Sequence, residues 1–212
     1  MLVGSTPALL GDLTGWVTDV IESLGYVGVA ALIALENIVP PIPSEVVLPL
    51  AGFLAGQGRF SLPAVVLAAT IGSIIGALIL YGLAAWLGEE RVRGIVERYG
   101  RFLRIDGHDL DRANDWFDRH GGAAVAIGRL VPVVRSLVSI PAGLRRMPLP
   151  RFLLFTAAGS TVWNAVLIGT GWVLGDNWEQ VDQYATYVEI AILLLLAAGG
   201  VAFLYRRRTA TR

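Results

Sequence analysis

Two long apolar stretches of this chain are broken near their centres by prolines and charges, and that pattern constrains the fold more than any other feature. In the first, Tyr26 to Ala55, Glu36 is followed by Asn37, Pro40, Pro41, Pro43 and Glu45. In the second, Gly121 to Leu144, Arg129, Pro132 and Arg135 fall within seven residues. Clustered proline removes backbone donors and blocks a continuous helix. At membrane depth such backbone survives only where protein or a wet cavity surrounds it. Each stretch therefore reads as helix, break, helix, a re-entrant hairpin that enters and leaves on one side of a bilayer.

A bilayer is the expected solvent because the remaining apolar segments are long enough to cross one. A hydrocarbon core of roughly 30 Å needs about 20 apolar residues, and Leu62 to Leu87, Phe152 to Leu174 and Val188 to Tyr205 meet that requirement. Only 16% of the 212 residues are charged, against about a quarter in an average soluble domain. Gly72 and Gly76, and again Gly171 and Gly175, lie four apart in two of the spans, which suits close helix packing in lipid. The third span is almost plain Leu, Ile and Ala and reads as an anchor. Met1 to Leu10 carries no Arg ahead of its short apolar run, so it lacks the basic region of a cleaved signal and the whole chain is read as mature.

Every one of the 17 basic residues is Arg, and their placement predicts an orientation. Arg91 to Arg119, Arg145 to Arg151 and Arg206 to Arg212 hold nearly all of them outside the hairpins, so the positive-inside rule makes these segments cytoplasmic. The predicted organisation is a single membrane domain. It begins with an N-terminal amphipathic segment (1–24), re-entrant hairpin 1 open to the outside (25–58) and a span (62–88). A cytoplasmic amphipathic connection (89–120), hairpin 2 (121–145), a second span (150–175) and a C-terminal span (184–205) follow. In the first amphipathic segment Trp16, Val17, Val20 and Ile21 form the apolar side; in the connection Leu110, Ala113, Trp116 and Phe117 do so. Both read as interfacial helices or, equally, as solvated connectors. The C-terminus is expected in the cytoplasm, and Arg206-Arg207-Arg208 reads as a topological anchor.

The chain also repeats itself. A shift of 87 positions superposes Pro63 on Pro150, Leu67 on Leu154, Gly72 on Gly159, Ser73 on Ser160, Gly82 on Gly169, Leu87 on Leu174 and Gly88 on Gly175. Upstream, Pro49-Leu50-Ala51-Gly52 matches Pro141-Ala142-Gly143 at a slightly larger offset. Each half is a hairpin followed by a span, in opposite orientations. The expected fold class is thus an all-α integral membrane protein built on an inverted repeat, with one further C-terminal helix. Opposed, Pro-interrupted repeats point to a transport fold with its site at the midplane; chance identity between Gly-rich segments is the competing explanation.

Four charges carry the functional argument: Glu36 and Glu45 from the first half, Arg129 and Arg135 from the second. A charge at the bilayer centre costs at least ~2.5 to 3.5 kcal/mol, so it needs a partner or water and usually has a task. If the hairpin tips meet, two carboxylates and two guanidiniums form a compact, nearly neutral site. Two purely structural salt bridges are the plainer explanation, but buried ion pairs add little stability after desolvation. Pairs that lock a closed state and open for substrate satisfy both. Guanidinium forks bind phosphate bidentately and stay charged, so Arg129 and Arg135 suit an anionic headgroup. Glu36 and Glu45 are the groups that can bind and release a proton during a cycle. Pro40, Pro41, Pro43 and Pro132, with Gly52 and Gly143, are read as shaping the hairpins.

Enzymatic readings are thin. With no Cys there is no disulfide, thiolate metal site or thiol nucleophile. His108 and His120 lack companions at metal-ligand spacing. No metal, cofactor or nucleic-acid partner is expected. Asn164 and Trp163 read as helix-packing groups, although Asn164 is also placed to line a cavity. Trp86, Trp172 and Trp178 lie near predicted helix ends and read as interfacial belt residues.

The run Glu36-Asn37-Ile38-Val39-Pro40-Pro41-Ile42-Pro43-Ser44-Glu45 with Gly52, then Gly72-Ser73-Ile74-Ile75-Gly76 with Tyr81-Gly82, then Gly128-Arg129-Leu130-Val131-Pro132-Val133-Val134-Arg135 with Pro141-Ala142-Gly143 and Met147, resembles the DedA family. The resemblance covers Gly25 to about Gly175. It implies a prokaryotic cytoplasmic-membrane protein related to eukaryotic lipid scramblases of the SNARE-associated Golgi protein (VTT-domain) type. Bacterial members are associated with recycling undecaprenyl phosphate, with membrane potential and with envelope resistance. They depend on membrane-embedded residues at the positions of Glu36, Glu45, Arg129 and Arg135. One departure is Glu45, where the family often has Asp.

The expected function is a flippase for a polyprenyl phosphate or similar anionic lipid, driven by protons. An energy-independent phospholipid scramblase, a proton-coupled transporter of small ions or osmolytes, and a non-transporting assembly factor are the alternatives. The expected partners are the lipid and protons; self-association into a homo-oligomer is left open by these residues.

Overall fold

The structure, a computed structural model, describes residues 8–38, 44–103, 107–132 and 134–174. Among these residues the regular structure is entirely helical. In chain order the helices are α1 (Ala8–Leu24), α2 (Tyr26–Ile38), α3 (Ser44–Gly56), α4 (Leu62–Leu103), α5 (Gly107–His120), α6 (Gly122–Gly128), α7 (Val134–Leu137), α8 (Ser139–Leu144) and α9 (Leu149–Leu174). Pro40, Pro41 and Pro43 and the expected C-terminal span at 184–205 lie outside the described residues.

Among the described residues two helices are long and apolar enough to cross a membrane: the Leu62–Gly94 part of α4 and Leu149–Val173 of α9, where an 18-residue stretch of each has a mean hydropathy of 2.3 and 1.5 respectively. On α4, Leu67, Ile71, Ile75, Ile79 and Leu83 recur every four residues and are 45% to 61% exposed. A row of half-bare branched side chains is costly in water and suits contact with lipid tails. The hairpin arms α2 and α3 have 13 residues each. At about 1.5 Å per residue each reaches only ~20 Å, short of the ~30 Å hydrocarbon core.

Glycines set how the arms pack. α2 lies on α4 and α6 on α9, while α3 crosses to α9 and α8 crosses to α4; α4 and α9 also touch. A Cβ on Gly72 would stand 2.2 Å from the Ala30 carbonyl oxygen, and one on Gly159 2.6 Å from that of Ala126. Likewise a Cβ on Gly52 would stand 2.0 Å from the Ile168 oxygen, and one on Gly143 2.3 Å from that of Tyr81. Helix backbones approach this closely only where no side chain intervenes. Gly72 and Gly159 are 87 positions apart, and so are Tyr81 and Ile168, the offset of the sequence repeat.

The first span, expected over 62–88, is broken at Gly88, which leaves helical geometry at φ 76° and ψ 169° with a backbone that favours glycine, and a second helical stretch runs on to Leu103 within α4. Glu89, Glu90 and Arg91 open that polar stretch, and such residues are good helix formers, so helix resumes past the break. The N-terminal segment is more than an interfacial helix. Val17 and Ile21 are fully buried in a core with Val29, Leu32, Ile33, Val47, Leu48, Val65 and Ile168, because α1 packs on α2 and α3. A second core gathers Ala77, Phe117, Ala124, Val125, Val138, Ala142, Met147 and Phe152.

Candidate functional site

The charged residues gather near the junction of these two cores. Glu36 and Asn37 occupy the last turn of α2, where Asn37 lies against α4 at Gly76; a Cβ there would stand 2.6 Å from that of Asn37. Opposite them is the tip of the second hairpin. Arg129 caps α6, its N–H donating to the Val125 carbonyl at 3.0 Å, and Gly159 of α9 leaves room for its Cβ. Arg135 lies on α7, and Ser139 opens α8.

Glu36 Oε1 forms a salt bridge with Arg135 Nη2, and both side chains are only 7% exposed. The Arg135 guanidinium also lies 5.9 Å from the centroid of the Trp163 ring, within the range of a cation–π contact. Arg129 is 2% exposed and is held by neutral groups alone: Nη1 donates to Asn37 Oδ1 at 3.2 Å and Nη2 to Ser139 Oγ at 2.7 Å. Asn37 Oδ1 also accepts from Ser136 Oγ at 3.4 Å, and Asn37 Nδ2 donates to the Ile33 carbonyl at 2.9 Å. Among the described residues no carboxylate lies within 4.0 Å of Arg129.

The expected gathering of two carboxylates and two guanidiniums is thus met by three of the four. Glu45 is half-buried in the first turn of α3 and forms no ion pair with a described residue. The reason is the crossing of the hairpin arms: α7 lies against α2, which brings Arg135 to Glu36, whereas α3 leans chiefly on α9. Two cations therefore face one carboxylate. Removing an ion from water costs several kcal/mol even after relaxation. Hydrogen bonds to a charged group return about 1.5–3 kcal/mol each, so the two bonds to Arg129 offset much of that cost but leave its charge uncompensated. Glu36 Oε2, Arg129 Nε and Trp163 Nε1 are buried without hydrogen-bond partners, so the cluster keeps both donor and acceptor capacity.

Pro132 lies in the exposed turn between α6 and α7, Gly143 abuts α4, and Gly52 abuts α9. Sequence reasoning singled out the charges and missed Asn37 and Ser139 as their neutral partners. A polar amide directly after an intramembrane carboxylate was the available signal. Asn164, fully buried, donates to Thr70 Oγ1 at 3.4 Å and Ser73 Oγ at 3.3 Å, and so fastens α9 to α4. At the far end of the second hairpin, Arg145 reaches Glu89 at 3.6 Å and Asp118 at 3.0 Å, tying α8 to α4 and α5.

Apolar hairpins folded around two membrane-length helices, with an ion pair and a second guanidinium sealed inside, define a polytopic membrane protein with a charged interior. The VTT domain model matches residues 42–173, and the chain belongs to that family, which includes the DedA proteins its motifs resemble. It is 35% identical over 196 residues to undecaprenyl phosphate transporter A of Staphylococcus aureus, covering 91% of this chain and 97% of that one. Undecaprenyl phosphate transporter A of Bacillus subtilis is 31% identical over 204 residues, covering 96% and 97%. An alkaline phosphatase-like protein of Lactococcus lactis subsp. cremoris is 42% identical over 197 residues, covering 91% and 92%. No solved structure matches.

Proposed function

We propose that this protein carries an anionic polyprenyl phosphate, of the undecaprenyl phosphate kind, from the outer to the inner leaflet of the cytoplasmic membrane, driven by the proton motive force. The observation that carries this reading is Arg129, a buried guanidinium that no carboxylate among the described residues pairs with. A phosphate headgroup supplies the missing anion and matches the guanidinium fork. The bare rows on α4 and α9 let a lipid tail remain in the bilayer while its headgroup crosses. Arg129 and Arg135 hold the phosphate. Glu36 competes for Arg135 when the site is empty and takes up a proton when the phosphate displaces it; Glu45, nearby in sequence, serves as a second proton group. The names of the staphylococcal and bacillar relatives support the same substrate.

In this reading the two hairpins are re-entrant and belong to an inverted repeat, and rocking one half against the other exposes the site to each leaflet in turn. The matched glycine contacts 87 positions apart support the repeat. The C-terminus lies in the cytoplasm.

The test is headgroup accessibility of a labelled polyprenyl phosphate in sealed proteoliposomes, with and without a pH gradient, for the wild type and Arg129→Ala. Gradient-driven flux that disappears with Arg129 is the expected result. Flux indifferent to the gradient overturns proton coupling and leaves a scramblase. No flux from folded protein overturns the lipid reading. Release of free phosphate from the probe makes the protein an enzyme, as the name of the lactococcal relative suggests for that protein.

A further inference from the structure

We infer that Asn37 is the residue that sets the charge of the site and thereby its preference for an anionic over a zwitterionic headgroup. The inference rests on the reading of the cluster as a headgroup site and names what makes it selective. Asn37 occupies the position where a second counter-ion would go. Its Oδ1 lies 3.2 Å from Arg129 Nη1 and 3.4 Å from Ser136 Oγ, its side chain is 2% exposed, and its neighbour Glu36 already neutralises Arg135. An aspartate has the same shape and would place a full negative charge on Arg129. The chain instead presents an amide, which orients the guanidinium by hydrogen bonding without cancelling its charge.

The amide itself is fixed. Nδ2 donates to the Ile33 carbonyl one turn back at 2.9 Å, which turns Oδ1 toward Arg129, and the backbone of α4 at Gly76 closes behind it. Asn37 is therefore a positioning residue, acting on the ligand through Arg129. With Glu36, Arg135 and Arg129 ionised, the cluster carries one net positive charge. A phosphate monoester, with about one to two negative charges at neutral pH, offsets that excess, whereas a zwitterion brings its own cation into a space that already holds two.

The test is equilibrium binding in detergent of a short-chain polyprenyl phosphate and of phosphatidylethanolamine to four proteins: wild type, Asn37→Asp, Glu36→Gln and the Glu36→Gln/Asn37→Asp double variant. The wild type is expected to prefer the phosphate by about tenfold or more, the scale of one unpaired charge in a partly screened site. Asn37→Asp, with no net charge, should lose that preference. Glu36→Gln, with two net positive charges, should keep or strengthen it. The double variant, restored to one, should regain it. Recovery in the double variant is the outcome a merely structural role for Asn37 does not produce. If Asn37→Asp retains the wild-type preference, or the double variant behaves like Asn37→Asp alone, the inference is overturned while the headgroup reading stands. If the wild type itself shows no preference, both fall. Should Asn37→Asp not fold, a loss of preference in Glu36→Gln alone overturns the charge argument.

Discussion

Arg129 and Arg135 are both buried guanidiniums six positions apart, yet their removal should affect stability to different degrees. Arg135→Ala leaves Glu36 sealed in the protein without its counter-ion, and breaking a buried pair in this way costs about 3–5 kcal/mol. Arg129→Ala removes a charge that no described carboxylate pairs with, and Asn37 Oδ1 still accepts from Ser136, so its cost is that of the cavity and the lost Ser139 bond alone. Thermal unfolding in detergent should show a larger drop in midpoint for Arg135→Ala than for Arg129→Ala. A drop for Arg129→Ala as large or larger would overturn this difference. The charges were legible in the sequence because an ionised group in an apolar segment has few innocent explanations. Asn37, Ser139 and Trp163 were not, since neutral polar and aromatic residues are common among membrane helices and only geometry distinguishes a partner from a packing group. The separation of Glu45 from the guanidiniums depends on which helix each hairpin arm leans against, and residue type carries no such information.

At the scale of helices, the close glycine contacts make the sharpest predictions. Gly52→Ala would drive a methyl to 2.0 Å from the Ile168 carbonyl oxygen, and Gly171→Ala to 1.9 Å from that of Pro49. In both cases the obstacle is backbone, so α3 and α9 must part, at a cost of about 1–3 kcal/mol or more. Gly82→Ala meets nothing within 4 Å and replaces a poor helix former with the best, so it should be neutral or stabilising by up to about 1 kcal/mol. Melting temperatures of the three variants check this, and a destabilised Gly82→Ala alongside an unaffected Gly52→Ala would refute the packing. The four-residue glycine spacings announced close packing but not its partners. Which arm meets which span depends on how α3 crosses to α9 and α8 to α4, and glycine spacing carries no such information.

For the molecule as a whole, the natural absence of cysteine makes sidedness directly measurable. Single cysteines at Gln57 and Arg119, both exposed, should label with an impermeant maleimide from opposite faces of intact cells, Gln57 from outside and Arg119 only after permeabilisation. Labelling of both from one face would overturn the proposed orientation. The 87-position offset read in the sequence also separates Gly72 from Gly159, which lie against the Ala30 and Ala126 carbonyls, and Tyr81 from Ile168, whose carbonyls lie against Gly143 and Gly52. The exchange by which α3 leans on α9 and α8 on α4 was not legible, because similarity between two segments does not say whether each serves itself or the other. That exchange has a consequence in time. A ribosome adds about 5–20 residues per second, so Gly52 is made roughly 116 residues, or about 6–23 s, before the Ile168 backbone that receives it. Over that interval α3 lacks its main brace, and until Arg135 is made, about 33 residues ahead of Ile168, Glu36 lacks the guanidinium it pairs with and must be sheltered in another way.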